Sequence, residues 1–353
     1  MDQRQSKYIP ELTALRGVCA LLVILFHLNL WDSGWIGVQC FFVLSGYLVS
    51  LSYESIKYNK KEFLVRRSMR ILPVLLLYVL AMFVLDAVLK EHIWTVGYIS
   101  LLTSTYNFTW LLDGWISHIS INHLWSVFVE IHFYLIWLFI WPLVQSKKSR
   151  LYLCCLFVVI VPFFRWFFFD QIASGSEFMK ANTTYVFSIS HLDAFAMGAM
   201  LTTFSLKSFR RILPFASALL LIIWMAININ FYGSNFQSWI SDLGVKFSAV
   251  GHYEFVWGYS FLNAVFFVFI AWCITKSGTW KIFNFCFHQL GKVSYSTYVW
   301  HGALVFLIVY FGFYEVLWIK LATMVAAHGL GWLSYELIER RASFLIKKVK
   351  VMP

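Results

Sequence analysis

The chain has 353 residues, of which 60% are hydrophobic and only 13% charged, with a mean hydropathy of +0.71. A soluble domain carries about 25% charged residues, so a water-soluble globular protein is excluded. The formal net charge of +11 reads as membrane topology and gives no reason to expect a nucleic-acid partner.

The polar residues before position 12 lack the pattern of a cleavable leader, so the first helix is expected to be retained. Leu12–Leu30 is the first of about ten apolar runs near the length that crosses a bilayer. It carries two ionisable groups, Arg16 and His27. Eleven positions return a helix to within about 20° of the starting face, so the two share one stripe roughly 16 Å apart along the axis. An arginine alone suits a snorkelling position and a histidine alone suits a packed core. Both on one intramembrane face point to a functional cavity. The second run, 35–53, opens Gly34-Trp35-Ile36-Gly37-Val38-Gln39 and continues to Ser45-Gly46-Tyr47. Close helix packing accounts for Gly37, Ser45 and Gly46.

Residues 57–70 hold six positive charges and end Arg66-Arg67-Ser68-Met69-Arg70 before the third run, 71–90. Such a segment anchors the chain to anionic lipid. Arginines also bind phosphate bidentately, which suits an anionic cytosolic molecule such as coenzyme A. Residues 91–122 include Trp94, Trp110, Trp115 and His118 and form a long outer segment, which an interfacial or re-entrant piece would suit.

The fourth run, 123–143, begins His123-Leu124-Trp125-Ser126 and reaches Glu130 and Tyr134. His123, Ser126, Glu130 and Tyr134 follow steps of three and four, so they share a stripe. Glu130 sits about 10 Å into the span. A buried carboxylate needs a partner, and His27 and Arg16 are the candidates. Runs at 151–169, 187–205, 212–230 and 254–275 follow. Asp193 in the sixth suits pairing with a cation. Residues 231–253 form a second long outer segment, and 281–292 look interfacial. Tyr295, Tyr298 and His301 share a face of the ninth run, 294–312, and the tenth spans 316–336. The six cysteines show no C-x-x-C pair, so neither a disulfide framework nor a metal site is expected.

The pattern predicts an all-α integral membrane protein of about ten transmembrane helices, forming a single domain over 1–353 with no appended soluble domain. Ten spans place both termini on one side. That side carries 23 of the 28 lysines and arginines, so the N and C termini are expected in the cytoplasm.

Taken in order, these stretches resemble the membrane-bound acyltransferase family 3. The match lies in Arg16 with His27, GVQCFFVLSGYL, Arg67 to Pro73, His123 to Tyr134 and Leu290 to His301. Thr13, Gln39 and Arg341 depart from the usual residues. Loss of two usual acids leaves Glu130 and Asp193 as the main intramembrane carboxylates. The resemblance implies transfer of an acyl group, most often acetyl, from cytosolic acyl-CoA to a hydroxyl of an extracytoplasmic glycan or glycolipid. It implies a multi-pass protein of a bacterial plasma (inner) membrane, with membrane lipids and acyl-CoA as partners and no metal. His27 is implied as general base or acyl relay, with Arg16 and Glu130 beside it. Arg66, Arg67 and Arg70 serve the acyl-CoA end. His123, Ser126, Tyr134, Asp193, Tyr295, Tyr298 and His301 are candidates for the acceptor or cavity wall. The unperturbed imidazole, with a pKa near 6.5, accepts a hydroxyl proton around neutral pH, either in direct transfer or through an acyl intermediate. A transporter or flippase for a glycolipid or organic anion also suits ten spans with buried ionisable groups. A non-catalytic scaffold is a third reading. Dependence on acyl-CoA separates the first from the others.

Overall fold

The computed structural model describes residues 8–90, 95–112, 115, 117–233, 235, 239, 243, 251, 253–276 and 278–342. Trp94, most of the 231–253 outer segment and the tail beyond 342 lie outside the described residues. Those described form helices and turns with no strand.

The helix α1 runs Pro10–His27, with proline at its first position where no backbone N–H is needed. After a 3-10 turn at Asp32–Trp35 comes α2, Ile36–Ser55. The next helix, α3, Lys60–Leu89, is capped by Asn59, whose side chain accepts from the Glu62 N–H. It therefore begins eleven residues before the apolar run, and the basic 57–70 segment is mostly helix. Short pieces follow: α4, Thr95–Leu102, and α5, Ile119–Asn122. The bundle continues with α6, Trp125–Ile140, α7, Lys147–Gln171, α8, Glu177–Val186, and α9, Leu192–Met200. It closes with α10, Leu206–Tyr232, α11, Glu254–Thr275, α12, Lys281–Lys292, α13, Ser294–Tyr310, and α14, Leu317–Ser334. A π turn at Tyr335–Glu339 follows.

Seven of the described helices are long and apolar enough to cross a membrane, and an eighth span results if α12 and α13, bent by 64°, count as one. The expected ten therefore needs correction. The 187–205 run is a 3-10 turn followed by the nine-residue α9, too short to cross. All but one residue of α9 are buried, so its apolarity reflects a protein core rather than lipid. The last run has the length, but Lys320 and His328 lower its apolarity.

The Asp32–Ser55 span is 72% buried while Phe209–Tyr232 is only 11% buried. This contrast sets α2 at the centre and α10 in the lipid-facing ring, where Phe215 and Leu219 are exposed. The centre closes by backbone approach. A Cβ added to Gly46 would lie 2.0 Å from the Phe195 carbonyl oxygen, and one on Gly198 would lie 1.8 Å from that of Val43. Only glycine at both positions lets α2 and α9 cross this closely. Around α2 stand α1, α6 and α13, which carry the ionisable residues.

Candidate active site

Five helices lay residues along one common axis, with charge at one end and imidazole at the other. At the charged end, Arg16 from α1, Arg70 from α3, Glu130 from α6, Ser45 from α2 and Tyr295 from α13 line a small cavity of about 50 Å³. Toward the other end the lining becomes Val38, Phe41, Phe42 and Val127, closed by Ser126 and Tyr298. Just before the start of α6 lies His123, and one turn further along α13 lies His301.

Glu130 is held on one oxygen by two hydroxyls. Ser45 Oγ donates to Oε1 at 2.9 Å, and the Tyr134 hydroxyl donates to the same atom. Of the two expected partners, His27 is not among its contacts, which corrects that expectation, and Arg16 meets it through charge and not through a hydrogen bond. Arg16 instead faces Glu130, Arg70 and Glu339 electrostatically across the cavity, and neither Arg16 nor Arg70 forms an ion pair within 4 Å among the described residues. Two unpaired guanidiniums at one cavity mouth favour an anion. Tyr295 is fixed by its hydroxyl, which donates to the Ile71 carbonyl at 2.8 Å.

The other basic residues divide. Arg67 is buried, with its guanidinium over the rings of Phe63 at 5.5 Å and Tyr134 at 5.4 Å. Arg66 is half-exposed and pairs with Glu62 one turn away at 2.6 Å.

The histidines form a chain whose tautomers follow from their carbonyl partners, since a carbonyl oxygen only accepts. His301 Nδ1 faces the Tyr298 carbonyl, so it carries the proton and leaves Nε2 as an acceptor. His27 Nδ1 lies 2.9 Å from the Val23 carbonyl and 3.2 Å from His301 Nε2. Its proton is therefore on Nδ1, shared between the two. The Nε2 lone pair of half-buried His27 is left without a partner among the described residues, free to take a proton. His123 Nε2 donates to the Val299 carbonyl at 3.0 Å, and its buried Nδ1 has no partner. The His123 ring stacks so closely on α13 that a Cβ on Gly302 would lie 2.1 Å from its Cε1. Each of these three rings is turned toward a backbone carbonyl, and no group of three or more His, Cys, Asp or Glu among the described residues is arranged to hold a metal ion.

Tyr298 joins the two ends. Its hydroxyl donates to the His123 carbonyl at 2.8 Å and meets Ser126 Oγ.

Asp193 lies apart from this axis. It accepts from Arg165 at 2.8 Å and from Ser260 at 2.6 Å, and both it and Arg165 are fully enclosed. It is a clasp between α7, α9 and α11, which matches the expected pairing with a cation but takes it out of the cavity. Outside the spans, burial pushes the Tyr106 phenol up, so at neutral pH it is an uncharged partner for Ser117.

Two site residues escaped the sequence. Ser45, read as a packing residue, is a donor to Glu130. Glu339, just past the tenth run, accepts from Ser296 and faces Arg70 and Arg16. Its signal was faint: an acid kept near the apolar boundary among positive residues.

A family model described as an acyltransferase domain matches residues 9–336. A candidate O-acetyltransferase of Staphylococcus aureus (strain COL) is 26% identical over 332 residues, covering 86% of this chain and 51% of that protein. A candidate peptidoglycan O-acetyltransferase of Bacillus subtilis (strain 168) is 33% identical over 175 residues, covering 45% of this chain and 28% of its own length. A peptidoglycan O-acetyltransferase of Listeria monocytogenes is 31% identical over 147 residues, covering 37% and 24%. The chain thus spans about half the length, or less, of these curated relatives. No solved structure matches it.

Proposed function

Because the chain belongs to the acyltransferase-domain family, we propose that it transfers an acyl group, acetyl in the first instance, from cytosolic acyl-CoA to a hydroxyl of an extracytoplasmic glycan. The names of the B. subtilis and L. monocytogenes relatives favour a peptidoglycan-type acceptor. The chain then works as a multi-pass protein of a bacterial plasma membrane with both termini in the cytoplasm, in keeping with the bias of lysine and arginine.

The observation that carries this reading is the unengaged Nε2 of His27, its tautomer set by Val23 and His301, at the far end of an axis whose near end gathers Arg16 and Arg70. Acyl-CoA enters at the charged end, where Arg70, Arg16 and Arg67 meet its phosphates and pantetheine arm, with Arg66 nearest the exposed rim. His27 Nε2 takes the proton of the acceptor hydroxyl. The oxygen attacks the thioester carbonyl carbon, the C–S bond breaks, and the imidazolium returns the proton to the departing thiolate. The products are one ester and one free coenzyme A thiol. The Nδ1–H bonds to Val23 and His301 stabilise the imidazolium while it lasts. Glu130 balances the arginine pair and holds Ser45 and Tyr134 at the cavity wall.

Proteoliposomes given acetyl-CoA labelled on the acetyl group, with glycan fragments on the other side, test this. Coenzyme A release coupled to label on the glycan is expected. Movement of unmodified glycan with no thiol released would contradict acyl transfer and favour a transporter.

A further inference from the structure

The cavity stops short of the base. Four residues of α2, Val38, Phe41, Phe42 and Ser45, follow helical steps and face it. Ser45 lies beside Glu130 at the charged end, and Val38 is seven residues, or about 10 Å, toward the histidines. At that end the Phe41 ring meets Tyr298 edge-on, with centroids 6.4 Å apart. Tyr298 is locked to Ser126 and to the His123 carbonyl. His301, bonded to His27, is one turn beyond Tyr298 on the same helix. Anything that travels from the arginines to His27 along this axis passes the Phe41–Tyr298 contact.

We infer that Phe41 and Tyr298 form a constriction that sets the size of the acyl group transferred, admitting acetyl and holding back longer chains. This deepens the proposed function and rests on it. The chemistry of the wall fits a short apolar acyl group. Phe41, Val38 and Val127 offer hydrocarbon, and two polar groups of the same lining, Ser126 and Tyr298, bond to one another. Tyr298 is pinned by two bonds, whereas Phe41 is half-buried and held by packing alone, so Phe41 is the adjustable side. A pocket that discriminates by shape distinguishes one methylene by roughly 10- to 200-fold. Butyryl carries two more methylenes than acetyl, so the wild type should strongly prefer acetyl.

The experiment measures coenzyme A release in full-length protein in proteoliposomes with a glycan acceptor, from acetyl-CoA and butyryl-CoA separately. The readout is the butyryl-to-acetyl ratio of kcat/KM. Phe41→Ala is expected to raise this ratio at least tenfold, and Phe41→Leu, which removes less volume, about threefold. If Phe41→Ala abolishes all release, Phe41→Leu carries the test. A ratio within twofold of wild type in a variant that still transfers acetyl overturns the constriction. A wild type that releases no coenzyme A from either donor instead overturns the acyl-transfer reading and this inference with it. The two failures are therefore distinguishable.

Discussion

At the scale of single residues, the account turns on who donates to whom. His301 accepts the His27 Nδ1 proton because its own Nδ1 is committed to the Tyr298 carbonyl. One such bond contributes about 1 to 1.5 kcal/mol, so His301→Ala should lower turnover about tenfold. His301→Gln, which keeps an acceptor, should recover part of it, and a steady-state assay of both variants checks this. Equal losses in the two would mean that the ring matters only as volume. Arg70→Lys tests the anion end. It keeps the charge and loses the planar fork, so KM for acyl-CoA should rise about tenfold, roughly 1.4 kcal/mol, with little change in kcat. The Arg16–His27 spacing was legible in the sequence because helical geometry alone puts both on one stripe. The partners were not. Ser45 reaches Glu130 across 85 positions and His301 reaches His27 across 274, and no local periodicity encodes such pairs.

At the scale of helices, the site depends on how tightly α2 is gripped. Gly46 and Gly198 let two backbones touch, and overpacking a closed core costs about 1–3 kcal/mol. Gly46→Val should therefore lower the unfolding temperature in detergent and the yield of monodisperse protein, while Gly329→Ala, with nothing within 4 Å of the added carbon, serves as a distant control for packing. The Arg165–Asp193 clasp makes a second element-level prediction. Removing one partner of an enclosed ion pair costs about 3–5 kcal/mol, whereas replacing both with apolar residues is often close to neutral. Arg165→Met should melt well below wild type, and Arg165→Met with Asp193→Leu should recover most of the loss. Helix existence was readable from apolar runs, yet the count was not. Hydropathy cannot tell a segment enclosed by protein from one facing lipid, and α9, with all but one residue buried, is the segment it misplaced. Hydropathy starts the third run at 71 because charge masks its helical extension back to Lys60.

At the scale of the whole molecule, charge distribution and family membership carry the argument. The asymmetry of lysine and arginine predicts both termini in the cytoplasm, to be checked by impermeant labelling of single cysteines placed near each end in sealed vesicles. Labelling of either end from outside contradicts that orientation. On the proposed orientation the arginine end of the cavity faces the cytosol and the histidines lie beyond its other end, which is the polarity that moving an acyl group outward requires. Composition and motif order made the helical membrane class and the family legible in the sequence, whereas the identity of the acceptor lies in no single motif. The most direct test of the central claim compares cells carrying wild type with cells carrying His27→Ala at matched membrane abundance, by mass spectrometry of their surface glycans. Losing a general base typically costs about 10²- to 10⁴-fold in rate, so the account predicts that one glycan species loses one defined acyl mass in the variant. Unchanged acylation in His27→Ala would contradict it.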